Sequence, residues 1–108
     1  MPKLTFVFEV KAKPTYPVPL LSGAVDVNRD EKYDTASESL AFERQNATTW
    51  RAQKDVPLPL AGINYLLHYT IGAGIPWELK VLDEVGGLHG GGRDVSADAS
   101  DFYPGVLS

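Results

Sequence analysis

Leu4-Thr5-Phe6-Val7-Phe8-Glu9-Val10-Lys11 alternates with a period of two: Leu4, Phe6, Phe8 and Val10 fall on one face, and Thr5, Val7, Glu9 and Lys11 on the other. Successive side chains of an extended chain point to opposite sides, so this stretch predicts a strand with one face in a core and the other partly in water. Ile63-Asn64-Tyr65-Leu66-Leu67-His68-Tyr69-Thr70-Ile71 repeats the pattern, with Ile63, Tyr65, Leu67, Tyr69 and Ile71 on the core side. Trp77-Glu78-Leu79-Lys80-Val81-Leu82-Asp83 carries it again, with Trp77, Leu79 and Val81 sharing a face. Helical periodicity is nearly missing from the chain, and the fold class that follows is all-β.

The stretches between these strands supply the punctuation. Pro14, Pro17 and Pro19 break regular pairing and predict an edge segment or an extended crossover, with a polyproline ligand as a minor alternative. Residues 20–27 read as a strand with Gly23 as a bulge site, residues 37–44 as a strand in competition with a helical turn from Thr35, and residues 48–56 as a half-exposed strand. Pro57, Pro59 and Gly62 turn the chain. Gly72-Ala73-Gly74-Ile75-Pro76 reads as the loop of an antiparallel hairpin, residues 86–92 as flexible, and residues 102–107 as a last strand or a cover over an open edge. The expectation is a single antiparallel two-sheet β-sandwich over residues 1–108, with about six to seven strands and immunoglobulin-like or C2-like Greek-key connections. The run from Pro57 to Trp77 resembles the penultimate hairpin of many immunoglobulin-like and carbohydrate-binding sandwiches.

At 108 residues the chain is long enough for one core without covalent staples, and it has no cysteine, which excludes disulfides, thiolate metal sites and thiol nucleophiles. Ten basic against fourteen acidic residues give a net charge of −4, with no basic face to neutralise phosphates, so a nucleic-acid partner is not expected. Glu9 and Lys11 interrupt the apolar N-terminal run, so it reads as a strand and not a secretory signal. No apolar stretch approaches the ~20 residues of a membrane span. A soluble chain is expected; its compartment is open, as is oligomerisation through sheet edges.

The stretch with most chemical content is Asp26-Val27-Asn28-Arg29-Asp30-Glu31-Lys32-Tyr33-Asp34, where Asp26, Asn28, Asp30 and Asp34 place side-chain oxygens at alternate positions around Lys32, whose backbone carbonyl would serve instead. A hard cation such as calcium takes six to eight oxygens, and a loop folded about the ion supplies them this way. The stretch resembles the calcium loop of EF-hands and dockerin modules at its first, third, fifth and ninth positions. It departs at Glu31, where those loops need Gly for a sharp turn, and at the twelfth position, where Ser37 stands and Glu38 comes one place late. A second stretch, Asp94-Val95-Ser96-Ala97-Asp98-Ala99-Ser100-Asp101, shares the Asp-Val-x-x-Asp pattern. If both project from one end, Asp94, Asp98 and Asp101 join the first set around one or two ions, in outline similar to the loops of C2-type domains. The competing reading is that Asp, Asn and Ser are turn residues, with Arg29, Lys32 and Arg93 as counter-ions.

Tyr33 lies within the first stretch and Phe102 and Tyr103 follow the second, a mixture of aromatic faces and carboxylates suited to a carbohydrate or protein ligand. Trp50 and Trp77 read as core residues. His68 on a strand and His89 in a glycine-rich loop have no metal-ligand spacing, and the chain has no Gly-x-Ser-x-Gly elbow and no phosphate loop. The sequence therefore predicts a non-catalytic, calcium-assisted binding module. Its alternatives are a structural or protein-interaction sandwich without metal, and a small hydrolase.

Overall fold

The computed structural model describes residues 2–33 and 36–108. The alternating stretch that opens the chain forms β1 (Lys3–Val10). Nine strands stand among the described residues: β1 is followed by β2 (Leu20–Val25), β3 (Ser39–Leu40), β4 (Glu43–Arg44), β5 (Thr49–Asp55), β6 (Asn64–Thr70), β7 (Pro76–Leu82), β8 (Leu88–Val95) and β9 (Ser100–Val106). They make a five-stranded sheet, β4-β5-β1-β7-β8, packed on a four-stranded sheet, β3-β2-β6-β9, with every pairing antiparallel. No helix among the described residues is long and apolar enough to cross a membrane.

The period-two pattern explains the core. Leu4, Phe6, Phe8 and Val10 of β1, Tyr65, Leu67 and Tyr69 of β6, and Trp77, Leu79 and Val81 of β7 are all buried. Burial of each large apolar side chain contributes about 1.5–3 kcal/mol. Phe8 sits at the centre, stacked on Trp77 at 5.3 Å between ring centroids and meeting Trp50 edge-on at 6.2 Å. Both tryptophans are therefore core residues, as expected.

Three features depart from the sequence expectation. The strand count exceeds six or seven because the 37–44 region splits into a 3₁₀ turn (Ala36–Glu38) and two two-residue strands, and because the glycine-rich segment is a strand. Gly23 is not a bulge: it pairs in register with Leu67 and Leu40, and a Cβ there would crowd Leu67 and Leu40 at 2.9 and 3.1 Å, so its value is close packing. The 63–83 region is not a hairpin either. β6 and β7 belong to different sheets, and the loop between them is an arch over the core. Gly72 and Gly74, at φ 99° and 76°, turn the chain out of one sheet, and the Ile71 and Gly72 N–H groups donate to the Ala99 carbonyl instead of across a hairpin. In all, the links β1–β2, β3–β4, β5–β6, β6–β7 and β8–β9 switch sheets.

The glycines of β8 are strand residues for a steric reason. A Cβ on Gly92 would overlap the Tyr103 hydroxyl and one on Gly91 the Leu79 carbonyl, and on β9 a Cβ on Gly105 would overlap the Tyr65 ring. Those two tyrosines reach from the other sheet to Gly91: its N–H donates to Tyr65 Oη at 3.0 Å, and its carbonyl accepts from Tyr103 Oη at 3.3 Å. The His89 carbonyl accepts from the Ser108 N–H at 2.8 Å. These bonds occupy groups on the outer edge of β8, which blunts that edge against pairing with another chain.

Candidate functional site

Register fixes where the two acidic stretches lie. Val25 pairs with Tyr65, so Asp26 leaves the sheet at the Asn64 end, while Ser100 pairs with Thr70 at the other. The seven residues of β6 between them span about 20 Å. Asp26, Asn28 and Asp30 are therefore at one end of the sandwich and Asp94, Asp98 and Asp101 at the opposite one, which rules out a site shared by both loops. Asp34 lies outside the described residues.

At the Asn64 end the chain folds around a buried carboxylate. The Asp26 N–H donates to the Asn64 carbonyl at 2.8 Å, holding the residue in line with β2. Asp26 Oδ1 then accepts from the Asp30 N–H at 3.2 Å and Oδ2 from the Glu31 N–H at 2.9 Å. Closing so tight a loop forces Arg29 and Glu31 into left-handed backbone, φ 55° and 63°. Glu31, the residue standing where a calcium loop needs Gly, thus adopts the backbone a glycine would supply. Asp30 Oδ1 accepts from the Lys32 N–H at 3.1 Å, and Arg29 turns its guanidinium to the Pro59 carbonyl.

The residue that sequence reasoning passed over is Glu38. The 3₁₀ turn Ala36–Glu38 carries its side chain, fully buried, to the two aspartates, and ligand-capable oxygens of Asp26, Asp30 and Glu38 lie within 4.8 Å of one another. Its only signal was an acidic side chain one place beyond the expected twelfth position. Burial works against the charge of Asp26 more than any other influence, yet the N–H groups of Glu31 and Asp30, with side-chain hydrogen bonding to Asp30 and Glu38, hold its carboxyl below the usual range. Burial, followed by the charges of Asp26 and Glu38, pushes the Tyr33 hydroxyl up. Tyr33 also lines a shallow groove of about 370 Å³ with Asn64, Pro104 and Val106.

The Thr70 end is built differently. Ser96 is buried; its hydroxyl donates to the Gly72 carbonyl at 2.5 Å and accepts from the Ile75 N–H at 2.9 Å. The Gly74 N–H donates to the Ser96 carbonyl at 2.7 Å. This segment sews the β6–β7 arch in place. Asp94 and Asp101 accept from the N–H of Val95 and Phe102, each at 2.8 Å. Burial first, with the charges of Asp101, Asp94 and Asp98 after it, raises the Tyr69 hydroxyl. Among the described residues the convergent carboxylates are those of Asp26, Asp30 and Glu38.

The aromatic set divides as well. Phe102 and Tyr103 point to opposite faces of β9. Tyr103 packs inward, edge-on to Trp77 at 4.8 Å, whereas Phe102 is 59% exposed and stacks on His68 at 4.5 Å and 18° between ring planes. His68 Nε2 lies 2.9 Å from Ser100 Oγ, which also accepts from Thr70 Oγ1 at 3.1 Å. His89 is fixed in β8, with Nε2 at 2.7 Å from Asp83 Oδ2 and Nδ1 at 2.9 Å from the Ser108 carbonyl. No protein-family model, curated protein or solved structure matches the chain.

Proposed function

We propose that this chain is a non-catalytic binding module in which residues 26–38 hold a calcium ion and fix the Tyr33 end of a surface for a carbohydrate or another ligand. One observation carries the reading: fully buried Glu38 stands with Asp26 and Asp30 so that oxygens of all three are within 4.8 Å. Carboxylates that close repel, and a hard divalent cation relieves the repulsion while using their oxygens as ligands. Exposed Asp30 gives the ion a way in. Asn28 and Asp34, at alternate positions of the same stretch, with backbone carbonyls and water, are the further oxygens a six- to eight-coordinate ion needs. The left-handed turn at Glu31 supports the kinship with calcium loops that the sequence spacing suggested.

An immunoglobulin-like or C2-like affiliation belongs to the same proposal, supported by the two antiparallel layers and the repeated sheet-switching links. Calcium titration followed by thermal melting tests the function. At calcium about 100-fold above Kd the native state gains about 2.7 kcal/mol. In a domain of this size that raises Tm by roughly 10 °C or more. Asp30→Ala removes most of the rise. An unchanged Tm at millimolar calcium overturns the metal and leaves an interaction sandwich with solvated acidic loops.

A further inference from the structure

The outward positions of the four-stranded sheet form a surface of unusual composition. Reading across the register, Leu20, Thr70 and Ser100 make one row, and Ser22, His68 and Phe102 the next. Ala24, Leu66 and Pro104 follow, flanked by Ser39, and Asn64 with Val106 closes the set near Tyr33. None of these positions is Asp, Glu, Lys or Arg, in a chain where 22% of residues are charged. Hydroxyl, amide and imidazole groups alternate with apolar side chains, and Phe102, 59% exposed, has one ring face against His68 and the other free of that stack.

We infer that this uncharged outer face is the docking surface for a neutral polysaccharide chain. The inference rests on the binding-module reading but not on the metal. Charge decides first: a face without ionic groups offers an anionic or cationic polymer no pairing, while an uncharged one loses nothing in approaching it. Hydrogen bonding decides second. A wholly apolar partner would strand the side chains of Ser22 and Asn64 without water, and each stranded group weakens binding, whereas Thr70, Ser100 and His68 already bond to one another. A sugar chain satisfies both demands, laying C–H faces on Phe102, Leu66 and Pro104 and giving its hydroxyls to the polar positions between them. Because the array runs across four strands, it suits a chain ligand lying over several of them better than a single small molecule held in a pocket.

Calorimetric titration of the full chain with cellohexaose, xylohexaose, mannohexaose and maltohexaose, each with calcium and with chelator, tests this. At least one hexaose binds, and Phe102→Ala and His68→Ala each weaken it about tenfold, while Lys80→Ala on the opposite sheet leaves it unchanged. Both side chains are exposed, so melting curves serve as the folding control. No binding of any hexaose at about 10 mM, far above a usual ligand Kd, overturns the inference, and so does binding indifferent to Phe102→Ala and His68→Ala. A dimer that Phe102→Ala converts to monomer also overturns it, because the face then belongs to a second copy. Calcium binding without sugar binding refutes this inference alone; sugar binding by a chain whose Tm does not respond to calcium refutes the metal reading alone.

Discussion

The two ends of the sandwich carry one short sequence pattern and fold it differently. Asp26-Val27-Asn28-Arg29-Asp30 and Asp94-Val95-Ser96-Ala97-Asp98 share Asp-Val-x-x-Asp, and each stands near a strand end. At the first, the aspartate is buried and gathers the backbone behind it, so a distant glutamate joins it and three carboxylates converge. At the second, the serine is the buried residue; it gathers the neighbouring arch, and its aspartates remain outside. What differs is which residue of the pattern the tertiary contacts bury. A buried acid recruits donors and invites a cation, while a buried hydroxyl closes two neutral hydrogen bonds and is complete.

The sharpest break of this contrast comes from one substitution at each end. Glu38→Gln abolishes the calcium-dependent gain of about 2.7 kcal/mol expected near saturation, while Asp98→Asn leaves it intact; melting at two calcium concentrations reads both. If both variants lose the gain, the ends do not differ as described. Ser96→Ala strands the Ile75 N–H and the Gly72 carbonyl at a buried site and costs about 2 kcal/mol by denaturant melting, with calcium response unchanged. Relief of left-handed backbone by Glu31→Gly stabilises the fold by up to about 1 kcal/mol and tightens calcium; a loss of stability would mean that the Glu31 side chain contributes more than its backbone strain costs.

The smallest effect is a pH dependence near the Asn64 end. Its hydrogen bond to Asp83, then the Ser108 carbonyl, raise the His89 pKa, and the same His89 contact, then the Gly87 N–H, lower that of Asp83. A raised histidine contributes fully below its ordinary 6.5 and loses the contribution as pH climbs through its folded value. A lowered aspartate contributes above its ordinary 3.8 and loses it as pH falls through its folded value. The Tm difference between the native chain and His89→Gln is therefore widest between those two pH values and narrows in alkaline buffer. A difference that grows above neutrality would show that the pair does not act as an ion pair.

Much of the layering was legible because alternation is a local property. Leu4 to Val10, Tyr65 to Tyr69 and Trp77 to Val81 face the core as their period of two requires, whatever they pair with. The glycine-rich segment was not legible: Gly90, Gly91 and Gly92 have the composition of a loop, and only the tertiary structure shows what crowds a side chain there, Leu107 and the Tyr65 ring at Gly90, the Leu79 carbonyl at Gly91 and the Tyr103 hydroxyl at Gly92. At the site, Asp26 and Asp30 could be read from spacing. Glu38 could not, because its distance from them depends on a 3₁₀ turn and not on the count of intervening residues.

The amino-acid sequence by itself determined an all-β chain, its inward faces, and an acidic stretch with the spacing of a cation loop. All of these follow from side-chain direction along an extended backbone and from the chemistry of neighbouring residues. Tertiary structure alone decided which sheet each strand joins, that the two Asp-rich stretches lie at opposite ends, that Glu38 completes the carboxylate trio, and that one outer face is without charge. Each depends on register between distant strands, which is set by the packing of Phe8, Trp77 and Tyr65 in a shared core and has no counterpart in any single stretch of the chain.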